Sequence, residues 1–323
     1  MRKDAQDKKN VVVKRVSSYH GSRFASLKFF NSDRVINLTS NYKVSEDNTA
    51  STLKISKAGS DILSYGNEIE LICSTINNST VLANVLDLVF TRCFPDDFIR
   101  MESDCSLGNR SSLSTAECIT QTYSKAWMRN NYAGFEAMYN YFDQFGITTN
   151  DSSCGMHVNI GLANFGRTKA TQDEAIRKFW YMVANNYDLM KILVGREGST
   201  MYCANVSERS KEAVKSMDLE YMPNDHGKCL NYSHYRQGRI EFRLVAGQRN
   251  FKAFRNTMEC VFALVEASKR LSWNDLNDVT KIFEGCNQYV VNRLSRCVEK
   301  GVLDITKYNV ISATSIEEDF DLR

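Results

Sequence analysis

The feature of the sequence that most constrains its fold is a set of short segments in which polar and apolar residues alternate. Residues 66–72 place Glu68 and Glu70 between apolar neighbours, and residues 155–161 and 239–246 follow the same pattern. Successive side chains of a strand point to opposite faces, so residues two apart share a face. Each segment therefore predicts a strand with one polar and one apolar face. Such strands are typical of antiparallel sheets, because parallel sheets are covered on both faces and are apolar throughout.

Longer segments with apolar residues at helical spacing lie between the strands, and they predict helices packed on the apolar face of the sheet. Residues 171–174 match a capping box, which predicts the first turn of a helix. Helices are predicted at 79–92, 125–145, 171–195, 207–217, 250–271 and within 275–300. Further strands are predicted at 97–101, 115–121 and 230–235, the last in a hairpin with 239–246. Because the strands come in pairs and do not alternate strictly with helices, the predicted class is α+β.

Composition and charge argue against several classes of function. The net charge of +3 on 323 residues gives no reason to expect nucleic acid or an anionic membrane as a partner. No apolar run approaches the roughly 18 residues that span a bilayer, and the charged Met1–Asn10 does not have the pattern of a secretory signal. The ten cysteines include no C-x-x-C pair, which predicts reduced, mostly buried thiols and a cytoplasmic location.

The polar faces of the predicted strands carry residue types that suit a metal or phosphate ligand. Lysine, the usual residue of a solvated face, is absent from them. Two carboxylates on one face repel each other when partly buried, and a divalent cation between them removes that repulsion. For any single strand, a wet face that carries charge without a function is the simpler interpretation. The rows of polar residues are Glu68 with Glu70, Asp104 with Ser106, His157 with Asn159, and Arg239 with Glu241 and Arg243.

The motifs that carry these residues follow one another in a recognisable order. They are Gly66-Asn-Glu-Ile-Glu70, Asp104-Cys-Ser106, Ala116-Glu117-Cys-Ile-Thr, Cys154-Gly-Met-His157-Val-Asn-Ile, Arg196 ahead of Tyr202-Cys203, Leu230-Asn231 and Arg239-Ile-Glu241-Phe-Arg243-Leu. This order resembles the amidoligase family of the carboxylate–amine ligase group, whose fold is like that of glutamine synthetase. The resemblance covers about residues 62–270. It divides the chain into an N-terminal extension with short strands (1–60), a catalytic domain (61–271) and a C-terminal helical extension (272–323).

The resemblance implies an ATP- and Mg²⁺-dependent ligase that joins a carboxylate to an amine, on small molecules or peptides, through an acyl-phosphate. The concave face of a curved antiparallel sheet would hold metal and nucleotide, with helices on its outer face. The implied metal ligands are Glu68, Glu70, Glu117 and Glu241. The implied catalytic residues are Asp104, Glu117, Arg196 and Arg243, the two arginines neutralising transferred phosphate. The implied contacts to the nucleotide or its metal come from His157, Asn159, Asn231 and Arg239.

Some assignments stay open. Either Asp104 or Glu117 could accept the proton of the attacking amine, and Arg239 could bind phosphate or pair with Glu241. The family usually has His-Val-His where this chain has His157-Val-Asn159. The Asn159 amide oxygen can still face a hydrated cation, but an imidazole role is lost at that position.

Two other functions fit the same residues. One is a catalytically silent member that keeps the fold for protein interaction or assembly. Asn159, which replaces a histidine of the family, favours this alternative. The other is a phosphotransferase that phosphorylates a side chain and stops there. The sequence has no phosphate-loop motif from which a nucleotide site could be identified. The loops around 145–153 and 196–228 are predicted to set substrate specificity.

Overall fold

The fold is built on one seven-stranded antiparallel sheet. A computed structural model of the chain describes residues 30–31, 34–35, 63–76, 79–94, 99–102, 107, 114–197, 203–206, 209–222 and 227–304. A separate small pair consists of β1 (Phe30–Asn31) and β2 (Arg34–Val35). The strands of the large sheet are β3 (Tyr65–Cys73), β4 (Ile99–Glu102), β5 (Ser114–Thr120), β6 (Ile147–Thr148), β7 (Met156–Gly161), β8 (Leu230–Asn231) and β9 (Arg239–Phe242). They run in the order β4-β5-β3-β7-β9-β8, and β6 pairs with the end of β3.

Helices cover the apolar face of this sheet. In the described ranges they are α1 (Ser79–Cys93), α2 (Lys125–Asn130), α3 (Tyr132–Gln144), α4 (Lys169–Asn185), α5 (Tyr187–Leu193), α6 (Lys211–Lys215), α7 (Phe251–Arg270), α8 (Val279–Ile282) and α9 (Gln288–Glu299). The ring centroids of Tyr65 on β3 and Phe262 on α7 lie 4.6 Å apart. Those of Phe179 on α4 and Phe242 on β9 lie 5.5 Å apart. The predicted α+β class with an antiparallel sheet is therefore confirmed.

The alternation of the strands sorts their side chains as predicted. Ile69, Leu71, Val158 and Ile240 are at most 1 % exposed and belong to the same hydrophobic core. Burying a side chain of this size contributes roughly 1.5–3 kcal/mol to folding. The opposite face of the same strands carries the glutamates, histidine and arginines. The sheet therefore separates a dry layer, which holds the fold together, from a charged layer.

Two predicted helices are shorter than expected. The predicted helix 125–145 is divided at Asn131, whose backbone leaves the helical region and whose side-chain amide donates to Trp127 O at 2.9 Å. The predicted helix 171–195 ends at Asn185, and α5 begins after Asn186, whose amide donates to Met182 O at 3.0 Å. In both places the carbonyl accepts from the backbone N–H of the asparagine as well as from its side-chain amide, and the helix ends because the asparagine backbone leaves the helical region.

The capping box predicted at 171–174 is wrong by one turn. Thr168 is the residue before α4, and its hydroxyl accepts from Thr171 N at 3.3 Å. The Thr171 hydroxyl in turn accepts from Thr168 N at 3.1 Å. Thr171 therefore acts as the returning partner and not as the cap. The threonine pair matched the helix-start pattern at either residue, and only the backbone geometry distinguishes them.

The remaining predicted elements are found with shifted bounds. Strand 97–101 is Ile99–Glu102, helix 207–217 is Lys211–Lys215, and the hairpin strands are Leu230–Asn231 and Arg239–Phe242. The hairpin turn ends at Gly238, whose φ of 88° lies in the left-handed region that glycine adopts without strain. Apart from β1 and β2, the short strands predicted in 11–60 fall outside the described residues.

The C-terminal helix α9 packs onto the rest of the protein. Arg293 Nη2 of α9 donates to Ala253 O of α7 at 2.8 Å, and Leu294 and Cys297 are buried in the common hydrophobic core. The proposed boundaries of the domain and its two extensions stay predictions. The described residues of 272–304 nevertheless share one core with 63–271.

Other expectations from composition concern thiols and membranes. None of the nine cysteines in the described part of the chain forms a disulfide, and seven of the nine are buried. Among the helices of the described ranges, none combines the length and apolar character needed to cross a bilayer.

A buried carboxylate on α7 ties four elements together. Glu259 accepts from Arg129 Nε at 2.7 Å, from the Tyr132 hydroxyl at 2.6 Å and from Asn287 Nδ2 at 2.8 Å. Its side chain is 2 % exposed. Burial raises the pKa of Glu259, but the hydrogen bonds from Arg129, Tyr132 and Asn287 outweigh burial and hold that pKa below its usual value. The network fixes α2, α3 and the start of α9 against α7.

We predict that Glu259→Gln lowers the free energy of unfolding by about 3 kcal/mol, because it leaves the partners of a buried charge unpaired. A carboxylate whose folded pKa is depressed stabilises the fold above its unfolded pKa of about 4.3 and loses this contribution as pH falls through the folded pKa. The difference between wild type and variant should therefore be full at pH 7 and shrink below about pH 4. Urea unfolding at several pH values measures it.

Glu266→Gln is the matched control, since Glu266 lies on the same helix with a 55 % exposed side chain paired to Lys269. Its effect should stay below about 0.5 kcal/mol. Equal unfolding energies for Glu259→Gln and wild type at pH 7 would refute the role given to this network.

Candidate metal centre

The register of three neighbouring strands brings acidic residues and a histidine together on one face. Glu70 on β3 lies opposite Glu117 on β5, and Glu68 lies opposite His157 on β7. Residues directly opposite in a sheet point to the same face, with Cβ atoms about 5 Å apart. The chain thus assembles one acidic cluster from three separate segments.

Two further strands extend the row. Asn159 on β7 lies opposite Glu241 on β9, and Glu241 lies opposite Asn231 on β8. Arg239 and Arg243 flank Glu241 at two residues on either side and therefore belong to the same face. Eight of the residues singled out from the sequence occupy this face of β3, β5, β7, β8 and β9, with Arg243 just after β9.

The centre of the row is a group of three potential metal ligands. One donor atom each from Glu68, Glu117 and His157 lie within 4.8 Å of one another. His157 Nδ1 stands 3.2 Å from Glu68 Oε2. The Glu68 side chain is 21 % exposed, so this group is accessible at one side while most of the face is covered. Such a set could be bridged by one cation.

His157 is surrounded by carboxylates. Its Nδ1 is 3.3 Å from Glu241 Oε1, and its Nε2 is 3.8 Å from Glu70 Oε1. Burial and the charge of Arg243 lower the pKa of His157, but the hydrogen bond to Glu68 and the charges of Glu241 and Glu70 outweigh them and raise it above its usual value. The ring therefore lies among three carboxylates whose charges a bound metal ion would also compensate.

An outer set of hydrogen bonds orients the acidic residues. Asn159 Nδ2 donates to Glu68 Oε1 at 3.1 Å, while Asn159 Oδ1 accepts from Arg239 Nε at 2.9 Å. Asn231 Nδ2 donates to Glu241 Oε2 at 2.7 Å. Partners of this kind fix the direction of ligand oxygens and are typical of metal sites.

The two arginines that flank Glu241 make different contacts. Arg239 bonds to Asn159 and to Gln237, and Arg243 is the guanidinium that pairs with Glu241, at 2.5 Å. Arg243 Nε is buried and has no hydrogen-bond partner within the described part of the chain. Because an unsatisfied buried donor is costly, this nitrogen is available to a ligand oxygen.

Arg196 reaches the centre from the loop that follows α5. Its Nε and Nη2 donate to Leu244 O at 2.8 Å and Val245 O at 2.6 Å, which anchors the guanidinium beside β7. A Cβ on Gly155 would lie 3.1 Å from Arg196 Nη2, 3.3 Å from Glu70 Oε2 and 3.6 Å from His157 Nε2. Glycine at this position therefore lets three charged groups converge, and Gly155 N itself donates to Glu70 Oε2.

The donor set fits a divalent cation of the magnesium type. Carboxylate oxygens are the ligands that Mg²⁺ and Mn²⁺ prefer, and Mg²⁺ is commonly held by one or two of them together with substrate phosphates. Imidazole is a better ligand for zinc or iron than for magnesium. Glu68 and Glu117 are thus the strongest candidates for direct ligands of Mg²⁺, and His157 suits a metal such as Mn²⁺ or a place beside the ion.

One predicted residue lies outside the described residues, namely Asp104. The choice between Asp104 and Glu117 as the acceptor of a proton stays a prediction. In the backbone register of β4 and β5, Glu102 is the residue opposite Glu117, a position that the sequence pattern does not indicate. The residue closes a short strand with no alternating pattern, so only the strand pairing reveals it.

Comparison with protein-family models gives no match for the chain, and comparison with curated proteins gives none. The resemblance to amidoligases rests on the order of the motifs.

We predict that the protein binds Mn²⁺ and that Glu68→Gln weakens this binding by more than the roughly 10–100-fold loss typical of an outer-sphere change. The substitution removes one negative charge from the group of three ligands while it preserves size. Titration of Mn²⁺ followed by electron paramagnetic resonance measures the free ion. Glu212→Gln, at a 76 % exposed side chain on α6, is the control and should bind as wild type does.

We predict that Asn159→Ala also weakens Mn²⁺ binding, by about 10–100-fold, because Glu68 loses the amide that orients it. Since Asn159 is not a charged ligand, this effect separates orientation from charge. The same titration at fixed pH measures it. Wild-type affinity in Asn159→Ala would mean that the hydrogen bond to Glu68 has no bearing on the centre.

Proposed function

We propose that the protein is an ATP- and Mg²⁺-dependent ligase that joins a carboxylate to an amine through an acyl-phosphate. The observation that carries the proposal is the convergence of four glutamates around His157, with Arg243 on the same sheet face and Arg196 reaching it from a loop. Four carboxylates so close together are stable only with compensating cations. A nucleotide held through its metal supplies such cations and brings phosphates to the neighbouring arginines.

The first step of such a ligase reaction needs a metal ion beside phosphate, and the glutamates of the cluster could hold that ion. A carboxylate is a poor electrophile until phosphoryl transfer turns its oxygen into a leaving group, and this transfer depends mainly on positioning and neutralisation of charge. Magnesium, when bound, would neutralise the β- and γ-phosphate oxygens. Glu68 and Glu117 would hold it, with Glu70 and Glu241 close by.

The arginines suit the negative charge that develops on the phosphate. A guanidinium grips phosphate through two parallel hydrogen bonds. Arg243 has an unsatisfied Nε in the charged layer, and Arg196 is anchored by two backbone carbonyls with its Nη2 beside Gly155. Both are thus positioned without the reorganisation that an exposed, flexible arginine would need.

The attacking amine must lose a proton, and a carboxylate of the cluster is the candidate acceptor. Glu117 is the described residue that suits this role, since it lies at the edge of the group next to β4. Substrates of the proposed reaction are small molecules or peptides with a carboxylate and an amine. A likeness to glutamine synthetase, with a curved sheet, and a cytoplasmic location are parts of the same proposal.

An incubation with Mg-ATP and pools of amino acids, polyamines and peptides tests the proposal against its two rivals. ADP together with a new amide product supports the ligase. ADP with a phosphorylated target and no amide supports the phosphotransferase. Absence of any Mg-ATP binding, measured by calorimetry, favours a silent interaction module, for which Asn159 at the family's histidine position is the specific observation.

We predict that Glu70→Gln and Glu241→Gln each reduce turnover by at least about a hundredfold, as expected when an electrostatic contribution of roughly 3 kcal/mol is lost. Glu70→Gln keeps an oxygen that can accept from Gly155 N, so the fold should be preserved. Release of ADP measures turnover, and circular dichroism checks the fold. Glu212→Gln is again the control. Unchanged turnover in a folded Glu70→Gln or Glu241→Gln variant would contradict the site assignment.

A further inference from the structure

A cavity of about 390 Å³ lies next to the candidate metal centre. Its walls are the loop at 150–154, the segment at 195–197, the segment at 246–250 before α7, and one side of α9. The first two walls fall in the loops that the sequence predicted to set specificity. A volume of this size is typical of small-molecule sites.

The most unusual group in the wall is Arg293 of α9. It is only 8 % exposed, and its Nη2 donates to Gln248 Oε1 at 2.7 Å, Ala253 O at 2.8 Å and Thr257 Oγ1 at 2.6 Å. All three acceptors are uncharged. Among the described residues, no carboxylate forms an ion pair with Arg293, and its Nε is buried without a hydrogen-bond partner. Burial lowers the pKa of this guanidinium.

A buried charge without a counter-charge is costly, so it indicates a missing partner. The cavity offers the place for that partner. Gly195 lies in the wall, and a Cβ placed on it would be 3.5 Å from Arg293 Nη1. No side chain of residue 195 therefore intervenes between the guanidinium and the cavity.

The rest of the wall adds positive potential. It includes Arg196, Arg249 and Arg296, against the carboxylates of Asp151 and Glu197. Glu197 is already engaged by Arg296 at 3.1 Å and by Lys300 at 2.7 Å. The N-terminus of the 20-residue α7, capped by Asn250, also opens here and carries the positive end of the helix dipole.

Arg196 connects the cavity with the metal centre. It lines the cavity, and its Nη2 lies close to Gly155 together with Glu70 and His157. A molecule in the cavity would therefore lie beside the acidic cluster and contact the guanidinium that the two sites share.

We propose that this cavity binds a small molecule through an oxyanion group, a carboxylate or a phosphate, with Arg293 and Arg249 as its principal partners. The inference needs only the cavity and its charges, so it stands independently of the proposed ligase activity.

Calorimetric titration of the full chain with sodium succinate and with sodium phosphate tests the proposal. EDTA is present so that no metal at the neighbouring centre contributes, and sodium chloride keeps the ionic strength constant. Wild type should show saturable binding of at least one anion, and the tighter of the two identifies the class. Arg249→Gln and Arg293→Gln should each weaken that binding at least about tenfold, as expected when a hydrogen bond to a charged group is lost.

Arg270→Gln is the matched control, because Arg270 is the last residue of α7 and lies about 30 Å from its first turn. It should bind the anion as wild type does. Arg249 is exposed, so Arg249→Gln decides the question even if Arg293→Gln fails to fold. The proposal is overturned if wild type binds neither anion, or if binding persists undiminished in Arg249→Gln.

Discussion

The charged layer of this protein depends on the pairing of β3 with β5 and β7. Because Glu70 lies opposite Glu117 and Glu68 lies opposite His157, three segments distant in sequence place their charges within a few ångströms. A shift of either pairing by one residue would turn the polar side chains of the shifted strand toward the apolar core. The hydrophobic face therefore does more than stabilise the sheet: the burial of Ile69, Leu71 and Val158 is what holds the register that assembles the acidic cluster.

Much of this arrangement could be predicted from the sequence, because the period of two is a local signal. Alternation in 66–72 and 155–161 located the two central strands to within a residue and assigned their faces correctly. It also grouped Glu68, Glu70, His157, Asn159 and Glu241, which the structure places together. The nucleotide and the reaction followed from motif order alone, the metal also from the paired carboxylates, and all three stay predictions.

What the sequence could not indicate arises from contacts between distant segments or from competition at helix ends. Arg293 stands on a helix whose pattern looks like an ordinary surface helix, and only its packing against α7 shows a buried charge facing a cavity. The break at Asn131 is a local change of backbone conformation at one residue, and the apolar spacing of residues 125–145 continues through it without a signal. Threonine is a favoured cap at both 168 and 171, and only the backbone geometry shows that Thr168 is the cap.

The attachment of α9 has a consequence for any shortened version of the protein. This helix is bound to α7 at two points, through Asn287 to Glu259 at its start and through Arg293 to Ala253 and Thr257 one and a half turns later. A fragment that ends near residue 271 lacks α9. The apolar residues of α7 that pack against α9 would then be exposed, and one wall of the basic cavity would be missing. We expect such a fragment to aggregate through its exposed hydrophobic surface. Expression and crystallisation should therefore use a chain that extends at least through Leu303.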